Sequence, residues 1–559
     1  MIRFRHLIRA ATLGASMWLC AVLFATARVD TAPGPGPSRS VQKHAQSDTS
    51  MFAHSSDCLA CHNSLVTPAG EDVSIGASWR ATMMANSARD PYVQASVRRE
   101  TTDHQSRAAD IEDECASCHL PAAKQIAHAS GGKAQVFSHL SADAAGAETA
   151  LDNLARDGVS CTVCHQISAD RLGTRESFNG NFVVAAPLAN GTRRAFGPEA
   201  IDTGRRRIMH SVTGFEQEQA AHIRESELCA TCHTLITEAL DGDGRVIGSL
   251  PEQMNYPEWQ HSAFFVERRT CQSCHMPPAD GPVRIASVLG DYRQRLSRHT
   301  FVGGNAFMVR LMNRYRTELD VVATPAEMEA TARATVRQLE ADTATVTIER
   351  AASSDGTLAV DVVVKNLTGH KFPTGYPSRR AWLHVTVNDR NGRTLFESGR
   401  MTDAGLIAGN ASDAGGTTFE PHYDQITQPD EVQIYESILG TPANVPTTGL
   451  LQATQYLKDN RLLPRGFDKT TAPAEIKVFG GASADPDFTG DGDRVRYRLA
   501  VTGAVTVEVE LRYQPIGYRW AQNLAPYQDA ESRRFVGYYN SLATYSSVVV
   551  ARASRAIAP

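Results

Sequence analysis

Five times in this chain, two cysteines three positions apart are followed at once by a histidine. The segments are Cys58–His62, Cys115–His119, Cys161–His165, Cys229–His233 and Cys271–His275, and they use ten of the eleven cysteines. Two thiols on one short turn can each add to a vinyl group of the same porphyrin. The adjacent imidazole then reaches the iron, so C-x-x-C-H is the attachment pattern of c-type haem. A zinc ribbon also pairs cysteines this way, but it does not demand a histidine after every pair. Disulfides fit worse, because cysteines this close bridge poorly and none is left to pair between motifs. The pattern predicts five covalently bound haem c groups. Cys58, Cys61, Cys115, Cys118, Cys161, Cys164, Cys229, Cys232, Cys271 and Cys274 are the attachment points. His62, His119, His165, His233 and His275 are the proximal iron ligands.

The chemistry then turns on the other face of each iron. A haem that only exchanges electrons takes two strong axial ligands, whereas a catalytic haem keeps one face open. Twelve histidines lie beyond residue 27 and outside the motifs, enough for five places. Four are singled out as iron ligands: His299, His222, His370 and His261. His222 precedes Cys229 by seven residues. His370 stands in a Gly/Pro-rich loop, where it would tie two domains together or simply hold the turn. His261 follows Trp259. His54, His104, His128, His139 and His210 are weaker candidates, and His384 alternates within a strand as a structural residue. Asp485–Asp493 has the look of a calcium loop. It places Arg496 where an EF-hand needs a bidentate glutamate, so it reads as an Asp/Gly turn.

These residues need elements to hold them. Residues 51–319 contain all five motifs and few long apolar runs, which predicts short helices, long loops and little sheet around porphyrins that supply much of the core. Thr324-Pro325-Ala326-Glu327 is a helix start, with an N-cap threonine, proline at the first helical position and a glutamate closing the box. Met328, Ala332, Thr335 and Leu339 follow on one face of a bridging helix at 320–342. Beyond it the period becomes two: Leu358 to Val364, Ala381 to Val387, Val495 to Val501 and Val505 to Leu511, with Tyr545 to Ala551 closing. Turn signals stand at Asp355-Gly356 and Asn391-Gly392. The expected fold class is α+β, with a multihaem domain at 51–319, the bridging helix, and a β-sandwich at 343–559 that could be immunoglobulin-like. A long insertion of loops and short helices is expected at about 400–480.

Arg3, Arg5 and Arg9 precede an apolar run from Ala10 to Phe24 and an Ala25-Thr26-Ala27 cleavage pattern. This predicts a signal peptide at 1–27 and a periplasmic or extracellular location, where c-type haem is attached. The run is short and broken by Thr12, Gly14 and Ser16, which argues against a retained span. No later segment is apolar enough to cross a bilayer. Residues 28–50, with Pro33-Gly-Pro-Gly-Pro37, read as a disordered linker. Formal charge is −5. Removing residues 1–27 takes away three arginines and no acid, leaving about −8, which argues against nucleic acid or an anionic membrane as partner. Arg205–Arg207, Arg268-Arg269 and the arginines from Arg293 to Arg298 are candidate partners for haem propionates, or ordinary surface charge.

Several segments resemble the superfamily of multihaem c-type cytochromes that includes pentahaem nitrite reductase and octahaem hydroxylamine oxidoreductase, and more narrowly exported bacterial multihaem cytochromes with a C-terminal β-domain. They are Asp157–Ile167, Ser226–Thr234, Pro251–Trp259, Cys271–Pro277, Arg298–Asn305 and Gly369–Gly375. The resemblance ranks His299 first among the distal ligands, through Arg298-His-Thr-Phe-Val-Gly-Gly-Asn305. The nitrite reductase carries a lysine-ligated catalytic haem, whereas all five motifs here end in histidine, so that activity is not implied.

The expected function is electron transfer outside the cytoplasm through mostly bis-histidine haems. Expected partners are redox proteins or quinone-linked donors, with self-assembly through the β-domain as a further expectation. The rival reading is a redox enzyme acting on a small nitrogen or sulfur compound at one five-coordinate haem. No Ser-His-Asp set, phosphate loop or paired-acid motif points to hydrolytic or nucleotide chemistry.

Overall fold

The alternating valines of the C-terminal half build two antiparallel-rich sheets that face one another. In the computed structural model, residues 51–140 and 149–558 are described. The expected signal peptide, the 28–50 linker and His44 lie outside them.

The N-terminal half is made of short helices and loops. Its longer helices are α1 (Pro91–Asp103), α2 (Ala108–His119) and α3 (Thr203–Thr213). A hairpin, β1 (Thr234–Leu240) with β2 (Val246–Met254), leads into the single-turn α4 (Asn255–Gln260). Then come α5 (Ala306–Arg314) and α6 (Pro325–Asp342).

The start of α6 follows from its sequence. Thr324 accepts the Glu327 N–H, and the Glu327 carboxylate accepts the Thr324 N–H at 2.9 Å. The same carboxylate takes both arms of Arg80. Met328, Ala332, Thr335 and Leu339 are the buried face, as their spacing predicts.

Strands β3 (Ala344–Ser354) and β4 (Thr357–Asn366) form a hairpin, with Asp355 and Gly356 at positive φ in its turn. They are followed by β5 (Arg380–Asp389), β6 (Thr394–Ser398), β7 (Gln425–Ile426), β8 (Ile434–Gly440), β9 (Pro446–Thr447), β10 (Gln455–Asp459), β11 (Asp493–Leu499) and β12 (Val505–Gln514). Helix α7 (Ala530–Leu542) and β13 (Val548–Ile557) close the chain. One sheet runs β9-β8-β5-β12-β13, with β6 on β5 and β10 on β8; the other runs β7-β11-β4-β3. Registers such as Val495 opposite Val362 and Val509 opposite Val385 put matching apolar rows together. Both inner faces share one core that includes Val360, Val362, Val385, Val387, Tyr497, Val507 and Leu511. The α+β class holds.

Two features differ from the sequence reading. The stretch 400–480 is not only loops and short helices, because β8 pairs directly with β5 through Ile434 opposite Trp382. Six of its seven residues are buried, so both faces are covered and no alternation marks it. Helix α7 is the second. Its Phe535 and Tyr539 pack with Tyr92 and Ala95 of α1, Phe307 and Leu311 of α5 and Met328 of α6. A second core therefore joins the end of the chain to the N-terminal half, and the described residues form one compact unit.

Candidate haem sites

Each motif occupies about one helical turn. His62, His165 and His233 donate their backbone N–H to the carbonyl of the first cysteine of their motif, each at 3.0 Å. Cys115–His119 ends α2, and Cys271–His275 is a short helix of its own. This geometry puts both sulfurs and the imidazole on one side of a turn. All ten thiols are free. All ten, with the five motif histidines, line one connected cavity of about 2080 Å³.

The motifs also touch one another. The thiols of Cys58 and Cys161, of Cys229 and Cys271, and of Cys118 and Cys232 lie close enough to shift one another's ionisation. Motif one thus adjoins motif three, and motif four adjoins both two and five.

Ring nitrogens on the cavity are set up for a metal. Nδ1 of His62 contacts the Ile285 carbonyl at 2.8 Å, Nδ1 of His165 that of Phe196 at 2.6 Å, and Nδ1 of His275 that of Val302 at 2.5 Å. A carbonyl at Nδ1 fixes the proton there and leaves the Nε2 lone pair for iron. Burial pulls His119, His233, His299 and His370 down to about 4, and lowers His62 and His165 too. These imidazoles are therefore neutral near pH 7, the form that binds metals.

Two of the four singled-out distal histidines reach the cavity. The His299 ring faces that of His165 at 6.5 Å between centroids, and the His370 ring faces that of His275 at 6.2 Å. Interplanar angles are 17° and 14°. Imidazole–metal bonds of about 2.0–2.1 Å on both sides of one ion place ring centroids about 6.3 Å apart. Both pairs have that gap. His299 and His370 also turn Nδ1 to carbonyls, those of Ser297 and Lys371. The residues present fit an iron held between two imidazoles at each of these places.

The other two do not reach the cavity wall. His222 packs its ring on Phe196 and directs Nε2 at the Ile167 carbonyl, 2.8 Å away. His261 is exposed at the end of α4, with Nδ1 on the Pro257 carbonyl. A helix-terminal position turns its ring outward, which the Trp259-Gln-His segment did not reveal. Of the weaker candidates, His54, His128 and His139 sit beside Asp157, Asp113 and Asp152. His210 is exposed. His104 is buried, with no hydrogen-bond partner on either ring nitrogen, but it is not part of the cavity wall. His384 pairs with Glu397 and Glu510 on the sheet. Among the described residues, His299 and His370 are the non-motif histidines on the cavity, so His62, His119 and His233 face no second imidazole there.

Arg205, Arg269, Arg293 and Arg295 line the cavity, while Arg206, Arg207, Arg268 and Arg298 do not. Asp485 and Asp493 converge with His422 in a buried cluster. Its amides are oriented by backbone partners: Gln433 Oε1 accepts the Tyr423 N–H, and Asn460 Oδ1 accepts that of Glu436. Both amide NH₂ groups then point at His422 Nδ1, which must accept. The ring proton therefore lies on Nε2 and goes to Asp485 at 3.0 Å, which takes that nitrogen away from any cation.

No protein-family model matches the chain, and no curated protein matches it. Among solved structures, a penta-heme cytochrome c552 from Thermochromatium tepidum is similar, with a TM-score of 0.51 at 15% identity. The match covers 91% of this chain and 99% of that one. At this identity the likeness is one of fold, and it extends over both the motif-bearing half and the β-rich half.

Proposed function

We propose that the chain is an exported pentahaem c-type cytochrome that transfers electrons. One observation carries this reading: five complete attachment turns line one cavity, and two of their histidines face a second imidazole across a gap sized for an iron ion. Bound haem c would supply a one-electron iron couple at each turn. The chain's own part is placement. Cys58 with Cys161 brings motif one beside motif three, and Cys229 with Cys271 and Cys118 with Cys232 bring motif four beside motifs five and two, so groups held within each set are neighbours. His299 and His370 close two of the sites against exogenous ligands.

Export is supported by the sequence at 1–27. No described helix is long and apolar enough to cross a membrane. Redox proteins or quinone-linked donors are the fitting partners. Self-association through the β-rich half remains part of the proposal.

A redox-enzyme reading is favoured by a different observation: among the described residues, His62, His119 and His233 face no second histidine on the cavity. Intact mass of the chain matured in a host with haem-attachment machinery tests the main reading. Five haem units are expected, falling to four when both cysteines of any one motif become alanine. A matured chain that keeps free thiols in most motifs would overturn it.

A further inference from the structure

His370 belongs to the β-rich half, yet its ring must meet His275 of the N-terminal half. Between β4 and β5 the chain forms the loop Gly369–Gly375 that carries it. The loop runs close against its neighbour, since a Cβ at Gly369 would lie 3.1 Å from the Phe264 ring. Asn366 Nδ2 and the Thr368 hydroxyl hold the His370 carbonyl at 2.7 and 2.9 Å.

The next residues are fixed from the other half. The Lys371 N–H donates to Glu258 Oε2 at 3.1 Å, and the Thr374 hydroxyl donates to the same oxygen at 2.6 Å. The other Glu258 oxygen lies 3.0 Å from Arg461 Nη1. Arg461 forks onto Asp459, which also takes the Lys371 ammonium at 2.7 Å. Two acids and two bases thus balance. All four side chains are at most 5% exposed.

Glu258 stands on α4, which is itself braced to the haem motifs. The Tyr256 hydroxyl donates to Glu227, two residues before Cys229. Trp259 Nε1 donates to the Arg269 carbonyl, two residues before Cys271. A continuous set of bonds therefore runs from the motif of His275, through α4 and Glu258, to the loop of His370. A buried ion set is a weak source of stability, but it selects one geometry sharply. Metal ligation depends on such outer partners.

We propose that Glu258 is a positioning residue that sets His370 at ligating distance opposite His275. This rests on the reading of His370 as an iron ligand.

The test uses the haem-loaded full chain and compares Glu258→Ala, Glu258→Gln, Thr374→Val and His370→Ala. Haem content is read by mass, spin state by low-temperature electron paramagnetic resonance, and access by the rate of cyanide binding. His370→Ala is expected to make one haem high-spin. Glu258→Ala is expected to keep five haems, show the same haem as a spin mixture, and bind cyanide at that haem about tenfold faster than the unmodified protein does there, seen as a fast phase the unmodified protein lacks. Thr374→Val should move both readouts the same way by less. Glu258→Gln, which keeps an oxygen facing the loop, should restore most of the closed state. If Glu258→Ala does not accumulate, Thr374→Val decides. An unchanged spin state and cyanide rate in either variant, beside a high-spin His370→Ala, overturns the positioning role. An unchanged His370→Ala spectrum instead removes the ligand reading beneath it.

Discussion

At the scale of residues, the account depends on which imidazoles share an iron. His299→Ala and His370→Ala should each create one high-spin haem while five haems stay attached. His222→Ala and His261→Ala should leave the spin-state spectrum unchanged, because neither ring reaches the cavity. The motif cysteines and histidines were legible in the sequence because the C-x-x-C-H pattern fixes their spacing. The histidines that face two of them across the cavity were less so. Their partners lie far along the chain, and only the resemblance around His299, and the loop chemistry around His370, singled them out. His222 and His261 show the limit, since proximity in sequence to a motif does not turn a ring toward it.

The buried charges behind His370 give a pH prediction at the same scale. Burial opposes ionisation of Asp459, but Arg461 and Lys371 hold it at about 2, below its ordinary 3.8. A depressed carboxylate stabilises the folded state above the unfolded pKa, and that stabilisation is lost as pH falls through the folded value. The contribution, on the order of 2 kcal/mol, should be complete above about pH 4 and gone near pH 2. Asp459→Asn should lower stability at pH 7 by about 3–5 kcal/mol, because it leaves the buried Lys371 ammonium without its acid while Arg461 keeps Glu258. Guanidinium midpoints at pH 7, 4 and 2.5 check both. The wild-type chain should lose stability from this source only between the last two, and the variant should lack that component.

At the scale of elements, the capped helix α6 joins the motif-bearing half to the sheets. Thr324→Ala removes the reciprocal cap and should cost about 1 kcal/mol, read as a shift in urea midpoint. Glu327→Ala should cost more, because it also releases Arg80. Elements with a clear period were readable in advance: α6 by its buried stripe, β4 by its alternating row of Leu358, Val360, Val362 and Val364, and β11 and β12 by alternation of buried and more exposed positions. Strand β8 was not, because Ile434 to Gly440 is covered on both sides and its pattern carries no period. Helix α7 shows how a polar helix with only Phe535, Tyr539 and Ser532 buried escapes notice in a region otherwise rich in strands.

At the scale of the whole molecule, the two halves are separate in sequence pattern but share a core. Expressed from residue 343, the β-rich half should be colourless, since no cysteine lies beyond Cys274, and should show strand-type circular dichroism. It should also melt below the full chain, because Phe535 and Tyr539 lose Tyr92 and Phe307. In the full chain, Phe535→Ala should cost about 3–5 kcal/mol. That loss should appear in haem absorbance and far-ultraviolet signal together, as one core spans both halves.

The central claim is that five attachment turns hold five redox groups within one cavity. A spectroelectrochemical titration of the matured protein tests it most directly, by counting electrons against the rise of the haem α-band. The account predicts reversible uptake of five electrons per chain, one for each C-x-x-C-H segment. A matured chain that gains no α-band on reduction, and whose ten motif thiols titrate as free cysteines, would contradict it.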